Sequence, residues 1–270
     1  MSRPIVRVVP ATLLALALVS PSLAAENPPA ALALVDAMIE AHGGMAAWAS
    51  TPTVSWEDEF RSGEGESDGA SRVTVEQGRR RAYIDYPGTD QSMAWDGERA
   101  WSRNWTSPAP PRFMALLNYH FLNLPWLARD PGVNLSPPAT ARLWAVPDDP
   151  TLYHTVKITY DVGVGDTPDD YYVLYIDPET HRLAATEYIV TYAALLPEGV
   201  AHSPPHLLVY DEYETVAGLL VPSHYTIYEE GEDGVFVYAS CDIRDWSFSQ
   251  PFDASRMTMP ADAALDESVP

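Results

Sequence analysis

From Thr53 onward the chain alternates apolar and polar residues with a period of two: Val54, Trp56 and Phe60 fall on one side, Ser55, Glu57 and Glu59 on the other. That pattern predicts a half-buried antiparallel strand. Before it the period is helical. In ALALVDAMIEAHGGMAAWAS, Leu32, Val35, Met38 and Ile39 share one face, Pro28 and Pro29 precede the run, and Gly43-Gly44 marks its end. Trp48 sits in a short second turn. After the first strand, the polar loop GEGESDG leads to strands around Arg72 to Glu76 and Arg81 to Tyr86. In MAWDGERAW, Asp96-Gly97 separates Met93 and Trp95 from Trp101, a strong hairpin signal. Later strands are expected at about Ala141 to Val146, His154 to Asp161, Tyr171 to Asp177, Leu183 to Tyr192, Leu207 to Glu214, Leu219 to Glu229 and Val235 to Phe248. Asp177-Pro178, Gly218 and GEDG supply turns between them.

Successive strands with short turns, and too little helix for βαβ crossovers, define the expected class: mainly β with few helices (α+β). A meander of about eleven strands either closes into a barrel or curls into an open half-barrel whose concave face is covered by helices. One segment breaks the strand pattern. FMALLNYHFLNLPWL, Phe113 to Leu127, follows the Pro-rich SPAPP and is interrupted only by Asn118, His120 and Asn123, with its pattern broken near Pro125. A helix apolar on nearly every side must be buried or must face something apolar outside its own chain. It is too short to span a bilayer. Lying mid-chain between strands, it is placed to act as a lid on the curled sheet.

The first residues narrow the setting. Arg3 and Arg7 precede the apolar run Ala11 to Val19 and the small-residue stretch SPSLAAE, which reads as a secretory signal peptide over residues 1–25. Export to the periplasm as a soluble protein follows, with no later segment long and apolar enough to span a membrane. Residues 26–260 are expected to form a single domain of roughly 235 residues, and 261–270 a flexible acidic tail. Sixteen Lys and Arg against 38 Asp and Glu give a formal charge of -22, which excludes nucleic acid as a partner and disfavours anionic membrane surfaces. Cys241 is the single cysteine, so no internal disulfide is possible, and its strand-like surroundings VFVYASCDI predict a buried, inert thiol.

Catalytic signals are missing. There is no G-x-S-x-G elbow, H-E-x-x-H, P-loop or Rossmann glycine pattern. The histidines of HSPPH, His202 and His206, are separated by two prolines, which rules out the helical spacing a zinc site would use. GDTPDD lacks the ligand order of a calcium loop and reads as a solvated turn. Neither metal nor cofactor is expected, and a hydrolase would require His120 or His154 to meet a carboxylate and a hydroxyl, for which no motif argues. Aromatic residues stand out instead, with 8 Trp and 15 Tyr in the chain. Either they fill an ordinary β core, or they line a pocket for an apolar ligand.

The order of motifs resembles the LolA/LolB-like superfamily of periplasmic lipoprotein carriers and related lipid-binding and sensor domains. The matching segments are the helix ending AHGGMAAW, the hairpin WDGERAW, the apolar helix after it, YVLYIDPETHRLAATEY, ETVAGLLVPSHYTIY and PFDASRMTMP. They cover most of the chain after the signal peptide. The resemblance implies an open, strongly curved antiparallel half-barrel with helices as a lid over a hydrophobic cavity that holds acyl chains. The chain departs from the carriers in its acidity, in lacking a lipid-attachment cysteine of the LolB kind, and in offering no clear match to the arginine that latches the lid. The fold therefore transfers better than the cargo.

The expected function is non-enzymatic binding or carriage of a lipid or of a lipoprotein acyl chain, by a monomer. Trp56, Trp95, Trp101, Phe113, Leu117, Phe121 and Trp126 are the expected lining residues, chosen by strand alternation or helix position. A cavity accepting ten methylenes would gain roughly 8 kcal/mol before ordering costs. The alternative is an envelope interaction or sensor module whose half-barrel is filled by its own side chains and meets a protein partner. The volume and polarity of the space beneath the apolar helix separate the two.

Overall fold

The computed structural model describes residues 26–268, so the signal-peptide segment lies outside the described residues. The described chain begins with α1 (Pro29–Ala41) and α2 (Met45–Ala49). A first meander follows: β1 (Thr53–Ser62), β2 (Ser67–Glu76), β3 (Arg81–Asp85), β4 (Ser92–Trp95) and β5 (Ala100–Arg103). The long helix α3 (Pro111–Leu127) comes next. After it are β6 (Val133–Leu135), β7 (Ala139–Ala141), β8 (Tyr153–Tyr160), β9 (Tyr172–Ile176), β10 (Leu183–Tyr188), β11 (His206–Val216), β12 (Leu219–Gly231), β13 (Gly234–Ser247) and β14 (Ala264–Leu265).

All strands belong to one antiparallel sheet in the order β14-β5-β4-β3-β2-β1-β13-β12-β11-β10-β9-β8-β6, with β7 also paired to β8. The two meanders meet where β1 pairs β13, and the outer ends do not join, so the sheet is open. Helix geometry shows that it curls. Ala115 of α3 packs with Trp95 of β4, while Phe121 lies 6.1 Å from the Tyr172 ring of β9. Those strands are eight steps apart in the order, roughly 38 Å across a flat sheet, yet six helical residues rise only about 9 Å. The pattern left a closed barrel and an open half-barrel as alternatives, and the mainly β, open half-barrel that the resemblance implied is what forms.

The sheet holds 14 strands rather than about eleven. β6 and β14 are too short to show an alternation. The strand expected over Ala141 to Val146 is shifted: only Ala139–Ala141 pairs with β8, and the chain then turns, with Val146 N donating to Leu143 O at 3.3 Å. Leu143 and Ala145 alternate because they cover the outer face of the sheet, where they pack with Tyr153, Tyr175 and Leu207. Part of the segment expected as a flexible acidic tail is held against the sheet. Ala264 and Leu265 pair with Ser102 and Trp101, and the Asp266 carboxylate accepts the Arg112 backbone N–H at 2.6 Å. A negative charge there satisfies one of the open donors in the first turn of α3 and complements the helix dipole.

α1 ends where Gly43 and Gly44 take positive φ, and a Cβ on Gly43 would sit 2.3 Å from the Gly218 carbonyl oxygen. That close approach lets His42 bridge three elements. Its Nδ1 donates to Leu220 O at 2.9 Å, and its Nε2 accepts from Leu183 N at 3.1 Å, which fixes the neutral tautomer. Burial accordingly lowers its pKa to about 4. In α3, Pro125 has no N–H to offer the Phe121 carbonyl four residues earlier. The Tyr210 hydroxyl of β11 takes that place, donating to Phe121 O at 2.7 Å.

Two outcomes are expected. Tyr210→Phe leaves a buried helix carbonyl unsatisfied and should destabilise the fold by about 1–3 kcal/mol in chemical denaturation; no loss would mean the bond is not needed. His42 has a folded pKa below its unfolded one, so its contribution is complete above pH 6.5 and is lost as pH falls toward about 4. The difference in Tm between wild type and His42→Gln should therefore shrink across that window, and a difference that stays constant would contradict the neutral bridge.

Candidate functional site beneath helix α3

Alternation along β1 turns Val54, Trp56, Asp58 and Phe60 inward, toward α3. The outward residues Glu57 and Glu59 pair with Arg72, Arg61 and Arg244. Of the expected lining residues, Trp56 is 1 % exposed and borders the space under α3 together with Leu117. Trp95 packs with Ala100 and Ala115, its ring centroid 3.3 Å from the Arg112 guanidinium carbon. Phe121 is enclosed by Tyr188 at 4.7 Å and Tyr172. Trp126 stacks on Trp48 at 4.5 Å with an interplanar angle of 7°. Phe113 is half-buried against Tyr192.

Trp101 lies elsewhere. In the β4–β5 hairpin Trp95 pairs with Ala100 and Ala94 with Trp101, and directly opposed residues share a face. Trp101 is therefore on the outer side, packed with Tyr83 and Ala94 beneath Phe252, Met257 and Ala263. The alternation by which it was chosen has the opposite phase on this side of the hairpin.

The space between the first half of α3 and strands β1–β3 is a cavity of about 30 Å³, enough for on the order of one water molecule. Trp56, Val73, Ile84 and Tyr86 form the sheet side, Met114, Leu117, Asn118 and Tyr119 the helix side. An acyl chain does not fit in it as it stands. Into this apolar interface projects Asp58, 3 % exposed. Its carboxylate accepts from Trp56 Nε1 at 2.9 Å, from Asn118 Nδ2 at 2.7 Å and from the Ser71 hydroxyl. Asn118 Oδ1 in turn accepts from the Tyr225 hydroxyl of β12 at 2.9 Å. Burial raises the Asp58 pKa above the ordinary carboxylate value, against the pull of those three donors. The network ties the middle of α3 to β1 and β12. Its signal was present in the sequence as a carboxylate at an inward position of an otherwise apolar phase.

The other end of the half-barrel is filled with aromatic rings. His120 lies 4.5 Å from Tyr172, Tyr188 stacks on His206 at 5.3 Å, and Tyr172 stacks on Tyr188 at 6.1 Å. His120 Nε2 meets the Tyr160 hydroxyl at 3.4 Å, and burial lowers its pKa to about 4. His206 points inward with Nε2 2.9 Å from Glu229, whereas His202 is exposed, so the two histidines of HSPPH do not converge. Among the described residues no three His, Cys, Asp or Glu side chains are grouped to hold a metal ion. Cys241 is fully buried and its thiol is pushed up by burial. The GDTPDD loop borders an open surface groove of about 340 Å³ with Ile189, Thr191 and His202.

No known family profile and no curated protein matches the sequence. Solved structures do match. A LolA superfamily protein from Nitrosomonas europaea superposes with a TM-score of 0.53 at 12% identity, covering 86% of this chain and 99% of that one. A DUF1329 family protein from Desulfovibrio piger superposes with a TM-score of 0.51 at 11% identity, covering 85% of this chain and 97% of that one. None of the helices among the described residues is long and apolar enough to cross a membrane. With its open antiparallel sheet wrapped around α3, this chain has a LolA-like fold.

Proposed function

We propose that the protein binds an apolar ligand, a lipid or a lipoprotein acyl chain, between the inner face of β1–β3 and the first half of α3. The geometry described is its closed state. The observation that carries this reading is the uneven burial of α3. Met114, Leu117 and Asn118 line the cavity and are only half-buried, as are their neighbours Phe113 and Leu116, whereas every residue from Phe121 to Ala128 is buried. A helix held fast in its second half and loosely in its first can lift at one end. The protein acts in the periplasm as a soluble monomer, and no chemical step is part of the proposal.

A second reading rests on the size of the cavity. A half-barrel with room for about one water is a self-filled core, suited to an envelope interaction or sensor module. Native mass spectrometry of delipidated protein, with a long-chain fatty acid and an acylated peptide added back, separates the two. One bound molecule per chain is expected, with affinity reduced about tenfold by Leu117→Gln, which removes apolar contact in the half-buried stretch. Absence of binding to both probes would overturn ligand carriage and leave the self-filled module.

A further inference from the structure

The cavity under α3 holds a buried carboxylate with no cation. Among the described residues no Lys, Arg or His forms an ion pair with Asp58; Arg244, whose field reaches it, is committed to Glu57 and Glu59 on the outer face. Its three hydrogen-bond partners are a Trp N–H, an Asn amide and a Ser hydroxyl. A carboxylate has about four acceptor positions, so one donor more can be received. Among the aliphatic residues that line the cavity beside it are three aromatic rings, Trp56 and Tyr86 on the sheet and Tyr119 on the helix. Tyr119 already has the Arg80 guanidinium carbon 5.1 Å from its ring centroid. Aromatic rings beside a carboxylate attract a cation twice, through the ring quadrupoles and through the full charge.

The size of the space decides which cation. About 30 Å³ admits a group the size of a water molecule. A primary ammonium is such a group and brings three N–H donors, whereas a quaternary ammonium is several times larger. We propose that Asp58, with Trp56 and Tyr86, receives the primary ammonium of an amphiphile whose apolar chain runs between Leu117 and Met114 of α3 and Val73 and Ile84 of the sheet. This inference rests on the proposed apolar binding beneath α3 and adds the headgroup that is selected. It gives the inward Asp58 a reason that packing does not, since a buried carboxylate without a counter-charge costs stability.

Octylammonium, octanol and octanoate titrated against the protein by isothermal calorimetry test it, in high-salt buffer that screens the overall acidity. Octylammonium is expected to bind about tenfold tighter than octanol or better, and octanoate more weakly than either. In Asp58→Asn the octylammonium and octanol affinities should become equal. Equal affinities in the wild type, or a preference that persists in Asp58→Asn, would overturn ammonium selection while leaving apolar binding in place. Failure of all three probes to bind would overturn both. Should Asp58→Asn lose its near-UV circular dichroism, Tyr86→Leu decides: octylammonium should weaken about threefold more than octanol, and equal weakening would sink the proposal.

Discussion

A helix with almost no polar side can be stable in water only when the rest of the chain surrounds it, and α3 imposes that requirement on the fold. Three of its polar groups are bonded to different parts of the chain. The first turn receives Asp266 from the C-terminal segment, Asn118 bridges Asp58 and Tyr225, and the carbonyl freed by Pro125 receives Tyr210. Apolar contact is non-directional and would allow the helix to slide or rotate. The three polar anchors, spread over its length, fix its depth and its rotation.

The sheet answers the same requirement. Contacts from one short stretch of α3 to both β4 and β9 are possible only if the sheet curls, and curling leaves the convex face to be covered by other means. At one end Leu143 and Ala145 lie over Tyr153 and Tyr175; at the other Phe252, Met257 and Ala263 lie over Tyr83 and Trp101. The first cover follows directly from β7, whereas the second runs on from β13, includes a 3-10 turn at Ala254–Met257 and reaches strands three or more places away in the sheet. His42 then locks α1 against β10 and β12, with Trp126 from the end of α3 packed edge-on to its ring.

Strand positions from Val54 to Phe248 and the helices were legible because their periods of two and of 3.6 are set by which face is buried. What was not legible depended on pairing across the chain. Leu143 to Val146 alternates like a strand but is a cover, since alternation reports a buried face and not a ladder. The tail looked loose because the strand that Ala264 and Leu265 pair with, and the Arg112 backbone that Asp266 receives, lie far earlier in the chain. At the site, Trp56 and Leu117 could be picked out by position, Asn118 stood out only as an interruption of the apolar helix, and Trp101 needed the hairpin phase. Asp58 was passed over because a single carboxylate among 38 acidic residues draws no notice until its phase is counted.

Whether a closed half-barrel is a carrier at rest or a filled core turns on an exchange of contacts. Lifting the first half of α3 uncovers Met114, Leu117 and the facing Val73 and Ile84, each worth about 1.5–3 kcal/mol when fully buried and less here, where the helix side chains are already half-exposed. An apolar chain laid in their place restores that burial, so the net cost of opening reduces to the polar anchors of the first half: the Asn118 hydrogen bonds to Asp58 and Tyr225, the Asp266 bond to the Arg112 backbone and the Arg112–Asp166 pair. A ligand that brings only methylenes leaves Asp58 with one donor fewer in a drier site. A ligand that also brings a donor replaces what Asn118 withdrew. On the proposed reading, the polar latch that holds α3 against the sheet is thus also the group that decides which apolar molecule can hold it open.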